Sequence, residues 1–362
     1  MSSKLFTPFA IGHMTLTNRV TIAPMCQYSA VDGSMTDWHL MHLGMLAISG
    51  ASMLLIEATG VTPEGRITHG CTGLYSDRNE SAMRRAVDLY RGITKNPIGI
   101  QIGHAGRKAS THPPFAGSKP LGPGESPWQT IAPSPIPFSD WHVPHEMSSG
   151  DIKSLIDAFV AAAQRAKRIG FEVLELHSAH GYLLQQFLSP LSNQRKDEYG
   201  RNRTKLPLEV AAAVREAWPK DRALGARING SDWAEGGWQP EDAVAYAREL
   251  KKAGLDFVCV SSGGTVAHQK VPVIPGYQVP FAEKVKPVIK TRAVGMIADP
   301  QQAEDILASG KADMIAMARA FLDDPRWVWH AAERLGVTID YPRQYARSRH
   351  DLWPGAKLAR AK

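Results

Sequence analysis

This chain has few cysteines, few charges and no long apolar run. Only three of its 362 residues are cysteine, at Cys26, Cys71 and Cys259. They are far apart and form neither a CxxC pair nor a zinc spacing. Their odd number also excludes a fully paired disulfide framework. No apolar run reaches ~18 residues, so no membrane span is expected. The opening Met1-Ser2-Ser3-Lys4-Leu5-Phe6 lacks the apolar region of a secretory signal. A reducing cytoplasm is the expected setting. No glycine-rich GxGxxG fingerprint joins a strand to a helix, so a dedicated dinucleotide-binding domain is not expected. No internal repeat or low-complexity tract occurs. The content of 43% hydrophobic and 21% charged residues suits a globular protein with a sizeable core. The formal net charge is +7, and Arg343, Arg347, Arg349, Lys357, Arg360 and Lys362 concentrate part of it near the C-terminus. That charge permits nucleic-acid binding, but no motif supports it, and attraction of an anionic cofactor or reductant explains it equally well.

Eight short runs rich in Val, Ile and Leu punctuate the chain, at residues 19–24, 52–58, 97–102, 171–177, 223–228, 255–261, 289–294 and 312–317. They are apolar at nearly every position, which suits strands buried on both faces of a parallel sheet. Amphipathic stretches at 151–169, 206–218, 240–253 and 300–308 read as helices. Their start signals are Ser149 with Asp151, Gln239-Pro240 and Asp299-Pro300. Gly170, Gly254 and Gly310 each stand between a helix and a strand, where C-caps belong. Eight strands alternating with helices predict an α/β fold, a (β/α)8 TIM barrel, over a doubly wound sheet. The expected organisation is one barrel domain over 1–362, with an N-terminal cap near 1–18 and a tail near 338–362. A long Pro/Gly-rich loop follows strand 3, at about 103–150. So long a loop is expected to serve the site, as a rim or lid containing a small hairpin.

In a barrel, chemistry collects at the C-terminal ends of the strands. The fourth run ends in His177-Ser178-Ala179-His180-Gly181-Tyr182. Two neutral imidazoles can donate hydrogen bonds to one electron-rich oxygen. A phenol with a reference pKa near ~10 can give its proton to a carbanion-like centre. A metal pair or a satisfied core pair of histidines competes with that reading on this segment alone. The other strand ends supply Pro24, Met25, Cys26 and Tyr28, then Ala58, Gln101, Arg227, Gly295 with Met296, and Ala318 with Arg319. A glycine turn after strand seven and an arginine after strand eight form the usual barrel phosphate site. Arg319 can clamp a phosphate bidentately. Gln101 and Arg227 suit the polar edge of a flat heterocycle. The pocket thus fits a phosphorylated planar cofactor, and flavin mononucleotide (FMN) has that shape.

The chain resembles the old yellow enzyme family of FMN-dependent ene-reductases, in its thermophilic-like class III branch. The resemblance rests on Leu16-Thr17-Asn18-Arg19, Ala23-Pro24-Met25-Cys26-Gln27-Tyr28, Glu64-Gly65-Arg66-Ile67, residues 101–107 and 177–182, Phe187-Leu188-Ser189-Pro190, Pro275-Gly276-Tyr277-Gln278-Val279 and residues 293–296. It implies an NADPH dehydrogenase or ene-reductase working by ping-pong hydride transfer, with NADPH or NADH as reductant and an activated alkene (enones, maleimides or nitro compounds) as acceptor. Pro24, Met25, Cys26 and Ala58 would line the flavin, with Cys26 tuning its potential. Gln101 and Arg227 would hold its pyrimidine edge, and Gly295, Met296, Ala318 and Arg319 its phosphate. His177 and His180 would bind the substrate oxygen, with His177 also against the flavin. Tyr182 would donate the proton and Tyr28 a further hydrogen bond. No metal is implied. Arg347 resembles an arginine that this branch inserts into a neighbouring subunit's site, which implies a homodimer or homotetramer.

Three features depart from the family pattern. The loop after Gly200 is short, Ala318 stands where many relatives have glycine, and the tail beyond Arg347 is longer. A methyl at Ala318 is expected to crowd the phosphate. Cys71 and Cys259 read as structural. Among rivals, an iron–sulfur dienoyl-CoA reductase relative needs a Cys₄ set that three scattered cysteines cannot supply. An isomerase or aldolase needs a base or lysine at a strand end, and only Glu57 and Glu175 come near.

Overall fold

The eight apolar runs become eight parallel strands: β1 (Val20–Ile22), β2 (Met53–Gly60), β3 (Ile98–Gly103), β4 (Val173–Ser178), β5 (Ala223–Asn229), β6 (Phe257–Ser261), β7 (Lys290–Ala293) and β8 (Met314–Met317). Each pairs with its neighbour in sequence, and β8 pairs with β1 to close the barrel. The computed structural model describes residues 3–359. Helices Asp37–Ala47, Asp77–Ile93, Ser149–Ile169, Lys205–Ala217, Pro240–Lys252, Val279–Val285 and Pro300–Ala308 connect successive strands. The (β/α)8 expectation therefore holds.

Side chains alternate along each strand, and that alternation builds the molecule in shells. Leu174 and Leu176 of β4 join the shell between strands and helices, as do Ile98, Ile100 and Ile102 of β3 and Val258 and Val260 of β6. The alternate positions fill the barrel. Met53, Val173, Ala223, Phe257 and Met314, each the first residue of its strand, form an apolar floor. The N-terminal hairpin of Phe9–Ile11 and Met14–Leu16 closes that floor with Ile11 and Leu16. With one end plugged, the site is confined to the other.

Local signals explain the helix ends. Asp299 and Gln239 are N-caps with Pro300 and Pro240 behind them, as expected. The cap of the long helix is Ser148, one residue before the expected Ser149, because Ser148 and Asp151 close a capping box. After Gly200 the chain turns directly from Glu198–Arg201 into Lys205–Ala217. In the long loop, Ile131–Ala132 and His145–Glu146 pair in parallel, not as the expected hairpin. Residues 133–144 cross over between them, which parallel pairing requires. Arg107, 2% exposed, ties this loop to its neighbours by donating to Ile136 O at 3.0 Å and Thr265 O at 2.6 Å.

Candidate active site

β4 delivers three inward side chains at successive depths: Val173 on the floor, Glu175 within the barrel and His177 at the mouth. Beyond it the backbone turns sharply. His180 (φ 60°) and Gly181 (φ 70°) are both left-handed, a conformation that costs a non-glycine residue energy and recurs at functional sites. Asn229 Oδ1 accepts from His180 N at 3.1 Å, and Lys108 Nζ donates to His180 O at 2.8 Å. These contacts hold the turn. A Cβ on Gly181 would lie 2.1 Å from Gly264 O, so glycine is required there.

The turn brings the expected trio together. The ring centroids of His177 and His180 are 5.1 Å apart, and those of His177 and Tyr182 4.8 Å, both edge-on. Burial, then the nearby Arg227 charge, holds both imidazoles well below the usual histidine range. Burial also pushes the Tyr182 phenol well up. Both rings are thus neutral and the phenol protonated at neutral pH. His177 and Tyr182 line a small cavity of about 20 Å³ with Ala58, Cys71, Gly103 and His104. No group of three His, Cys, Asp or Glu side chains able to hold a metal occurs among the described residues.

His180 faces a second, larger groove of about 1070 Å³, together with Arg227, Gly295, Met296, Ala318 and Arg319. The residues fit a flat anion-bearing cofactor on the geometry alone. Arg227 Nε is buried without a hydrogen-bond partner. Among the described residues Arg319 has no ion-pair partner, and nothing accepts from the amides of Gly295 and Met296. Gly295 (φ 109°) and Met296 (φ 49°) form the turn that exposes those amides. Ala318 packs against the small cluster of Ala23, Cys259, Val294 and Ala316 at the barrel mouth.

The strand-one segment is arranged less simply. Pro24, Met25, Cys26 and Tyr28 are half-buried. Met25 turns its side chain into a core cavity beside His39 and Glu57. A bulge between Ile56 and Ala58 in β2 re-aims Glu57, whose Oε2 accepts from Gln27 N at 3.0 Å. Tyr28 meets the loop residue Phe115 edge-on at 6.1 Å. Gln101 is buried, its Nε2 donating to Glu175 Oε1 at 2.8 Å. Arg347 is exposed on the turn Arg343–Ser348 and lines neither cavity, so this chain does not bring it to its own site.

The sequence reading missed four contributors. Cys71 is buried, lines the Tyr182 cavity and accepts from Thr68 N at 3.4 Å. Lys108 Nζ lies 5.1 Å from the Tyr182 ring centre, and burial draws it down to about 7. It directly follows the recognised run 101–107 and could have been read with it. Ser261 Oγ lies 2.7 Å from His180 Nε2. Arg292 pairs with Glu175 inside the barrel. A lone serine or arginine in an apolar strand carries no comparable signal.

A barrel with a neutral histidine pair, a protonated phenol and an open cationic groove at one mouth defines a flavin oxidoreductase. Comparison with known proteins agrees. Residues 4–337 match the NADH:flavin oxidoreductase / NADH oxidase family. A protein called NADPH dehydrogenase from Geobacillus thermodenitrificans (strain NG80-2) is 42% identical over 96% of this chain and 99% of its own. Another of that name, from Bacillus subtilis (strain 168), is 40% identical over the same shares. The solved structure of morphinone reductase superposes with a TM-score of 0.77 at 26% identity, covering 94% of this chain and 92% of that one. The chain belongs to the NADH:flavin oxidoreductase / NADH oxidase family, the old yellow enzymes, and is an FMN-dependent NAD(P)H oxidoreductase.

Proposed function

We propose that this enzyme reduces activated C=C bonds of enones, maleimides and nitro compounds, with His177 and His180 holding the substrate oxygen and Tyr182 supplying the proton. The observation that carries this reading is the joining of two neutral imidazoles and a protonated phenol around one mouth. FMN, when bound, would supply the hydride chemistry, with NADPH or NADH as reductant and the alkene as acceptor. Gln101 and Arg227 would hold its pyrimidine edge; Gly295, Met296, Ala318 and Arg319 would hold its phosphate; Pro24, Met25, Cys26 and Ala58 would line its ring, Met25 through its backbone.

The imidazoles donate to the electron-withdrawing oxygen and stabilise charge that gathers there, as oxyanion donors do. Their neutrality matters, because each keeps one N–H to donate and one nitrogen to be oriented. Tyr182 then protonates the carbon next to the activating group, and Tyr28 adds a contact from the rim. One mouth serves reductant and alkene in turn, which suits the absence of a GxGxxG fingerprint. We place the enzyme in the cytoplasm as a homodimer or homotetramer, with Arg347 reaching a neighbour's mouth. Three free cysteines agree with a reducing compartment, and among the described residues no helix is long and apolar enough to cross a membrane.

Titration with a phenol tests the oxygen site. A phenolate held by His177 and His180 against oxidised flavin is expected to give a long-wavelength charge-transfer band. Replacing both histidines by alanine is expected to abolish it. An unchanged band in that variant contradicts the assignment.

A further inference from the structure

The middle layer of the barrel interior is occupied by charge. Arg292 is the third residue of β7 and Glu175 the third of β4, and both are fully buried between the apolar floor and the mouth. Arg292 Nη2 donates to Glu175 Oε2. The other carboxylate oxygen, Oε1, accepts from Gln101 Nε2 at 2.8 Å. The Phe257 ring lies 5.4 Å from the Arg292 guanidinium, and its Nε and Nη1 meet no hydrogen-bond partner among the described residues. Removing two charges from water is costly, so such a pair is weak evidence of stability. A use for it lies in direction.

We infer that Glu175 and Arg292 fix the orientation of the Gln101 amide toward the flavin and are positioning residues for cofactor recognition. This rests on the reading that Gln101 holds the pyrimidine edge. An ionised carboxylate only accepts hydrogen bonds. Facing one, the Gln101 amide must turn its NH₂ toward Glu175 and leave its oxygen as the group on offer. An inverted amide would set oxygen against oxygen in a dry interior, where an unmet polar contact is expensive. Arg292, a cation that does not deprotonate in proteins, occupies Oε2 as a donor and leaves Oε1 to accept from Gln101. The flavin pyrimidine edge presents acceptor, donor, acceptor, its N3–H lying between two carbonyls. A fixed amide oxygen matches that N3–H, and a fixed NH₂ would oppose it.

Glu175→Gln separates direction from mere packing. Arg292 claims the oxygen of the new amide, which turns its NH₂ toward Gln101. The Gln101 amide must then invert. The readout is the binding of two flavins to apoprotein, followed by flavin fluorescence: FMN and N3-methyl-FMN, which lacks the N3 proton. Wild type is expected to prefer FMN by about tenfold, the order of one hydrogen bond. In Glu175→Gln that preference is expected to fall toward one. In a Gln101→Leu background, Glu175→Gln is expected to change the preference no further. General loosening of the barrel weakens both flavins together and leaves their ratio intact. If Glu175→Gln does not fold, the apolar pair Glu175→Met/Arg292→Met, which leaves the Gln101 amide with no acceptor to fix it, is expected to lower the preference. A preserved ratio in the folded variant overturns the inference and leaves Gln101 at the cofactor. Equal binding of both flavins by wild type removes Gln101 from the N3 edge and overturns the inference at its base.

Discussion

Lys108 shows how strongly setting alters a single residue. Its ammonium is enclosed by the carbonyls of His180 and Gly264, 2.8 and 2.9 Å away, and by the rings of Phe138 and Tyr182. Burial, and next the Arg107 charge, lower its pKa to about 7 from an ordinary 10.5. Other groups around it are His177, His180 and Arg227, the imidazoles being neutral. Below pH 7 Lys108 is cationic and favours the tyrosinate that Tyr182 becomes after giving up its proton. Above pH 7 that cation is lost. The rate of alkene reduction by pre-reduced enzyme is therefore expected to fall as pH rises through about 7. In Lys108→Met the rate is expected to be lower and flat across that range. Rapid mixing over pH 6 to 9 checks this, and an unaltered profile in the variant refutes the coupling.

At the scale of elements, the barrel was legible because burial on both faces leaves a strand apolar at nearly every position. The strand ends were legible for a related reason: polar residues there interrupt apolar runs, as His177 and Gln101 do. β7 was the exception. Its sequence, Lys290-Thr291-Arg292-Ala293, is polar at three of four positions, and Arg292 nonetheless faces the barrel interior. Periodicity cannot foresee a buried cation, because its partner Glu175 is 117 residues away. Cys71 was missed for the same reason, since only the folded loop brings it to the Tyr182 cavity. The turn after β4 makes a sharper claim. In Gly181→Ala the methyl would sit 2.1 Å from Gly264 O at φ 70°. A destabilisation of roughly 1–3 kcal/mol is expected in urea unfolding, with loss of the phenol band. A variant of wild-type stability with an intact band would show that the turn is not constrained in this way.

Across the whole molecule, floor and mouth divide stability from chemistry. The outer face of the helices after β1 and β2 carries exposed Trp38, Met41, Leu89 and Ile93, with Trp38 and Met41 both 49% exposed. An apolar face of this kind marks an interaction surface and agrees with the proposed oligomer. Sedimentation is expected to show a dimer or tetramer, and Arg347→Ala to raise the alkene KM several-fold with flavin reduction unchanged. A monomer of full activity contradicts the shared site. The division of labour at the mouth, two histidines for an oxygen and one tyrosine for a proton, is tested most directly by following both half-reactions of Tyr182→Phe under anaerobic rapid mixing. Reduction by NADPH is expected to stay within about twofold of wild type, and reoxidation by an enone to slow by about 10²–10⁴, the usual share of a general acid. Equal slowing of both half-reactions, or of neither, would contradict the account.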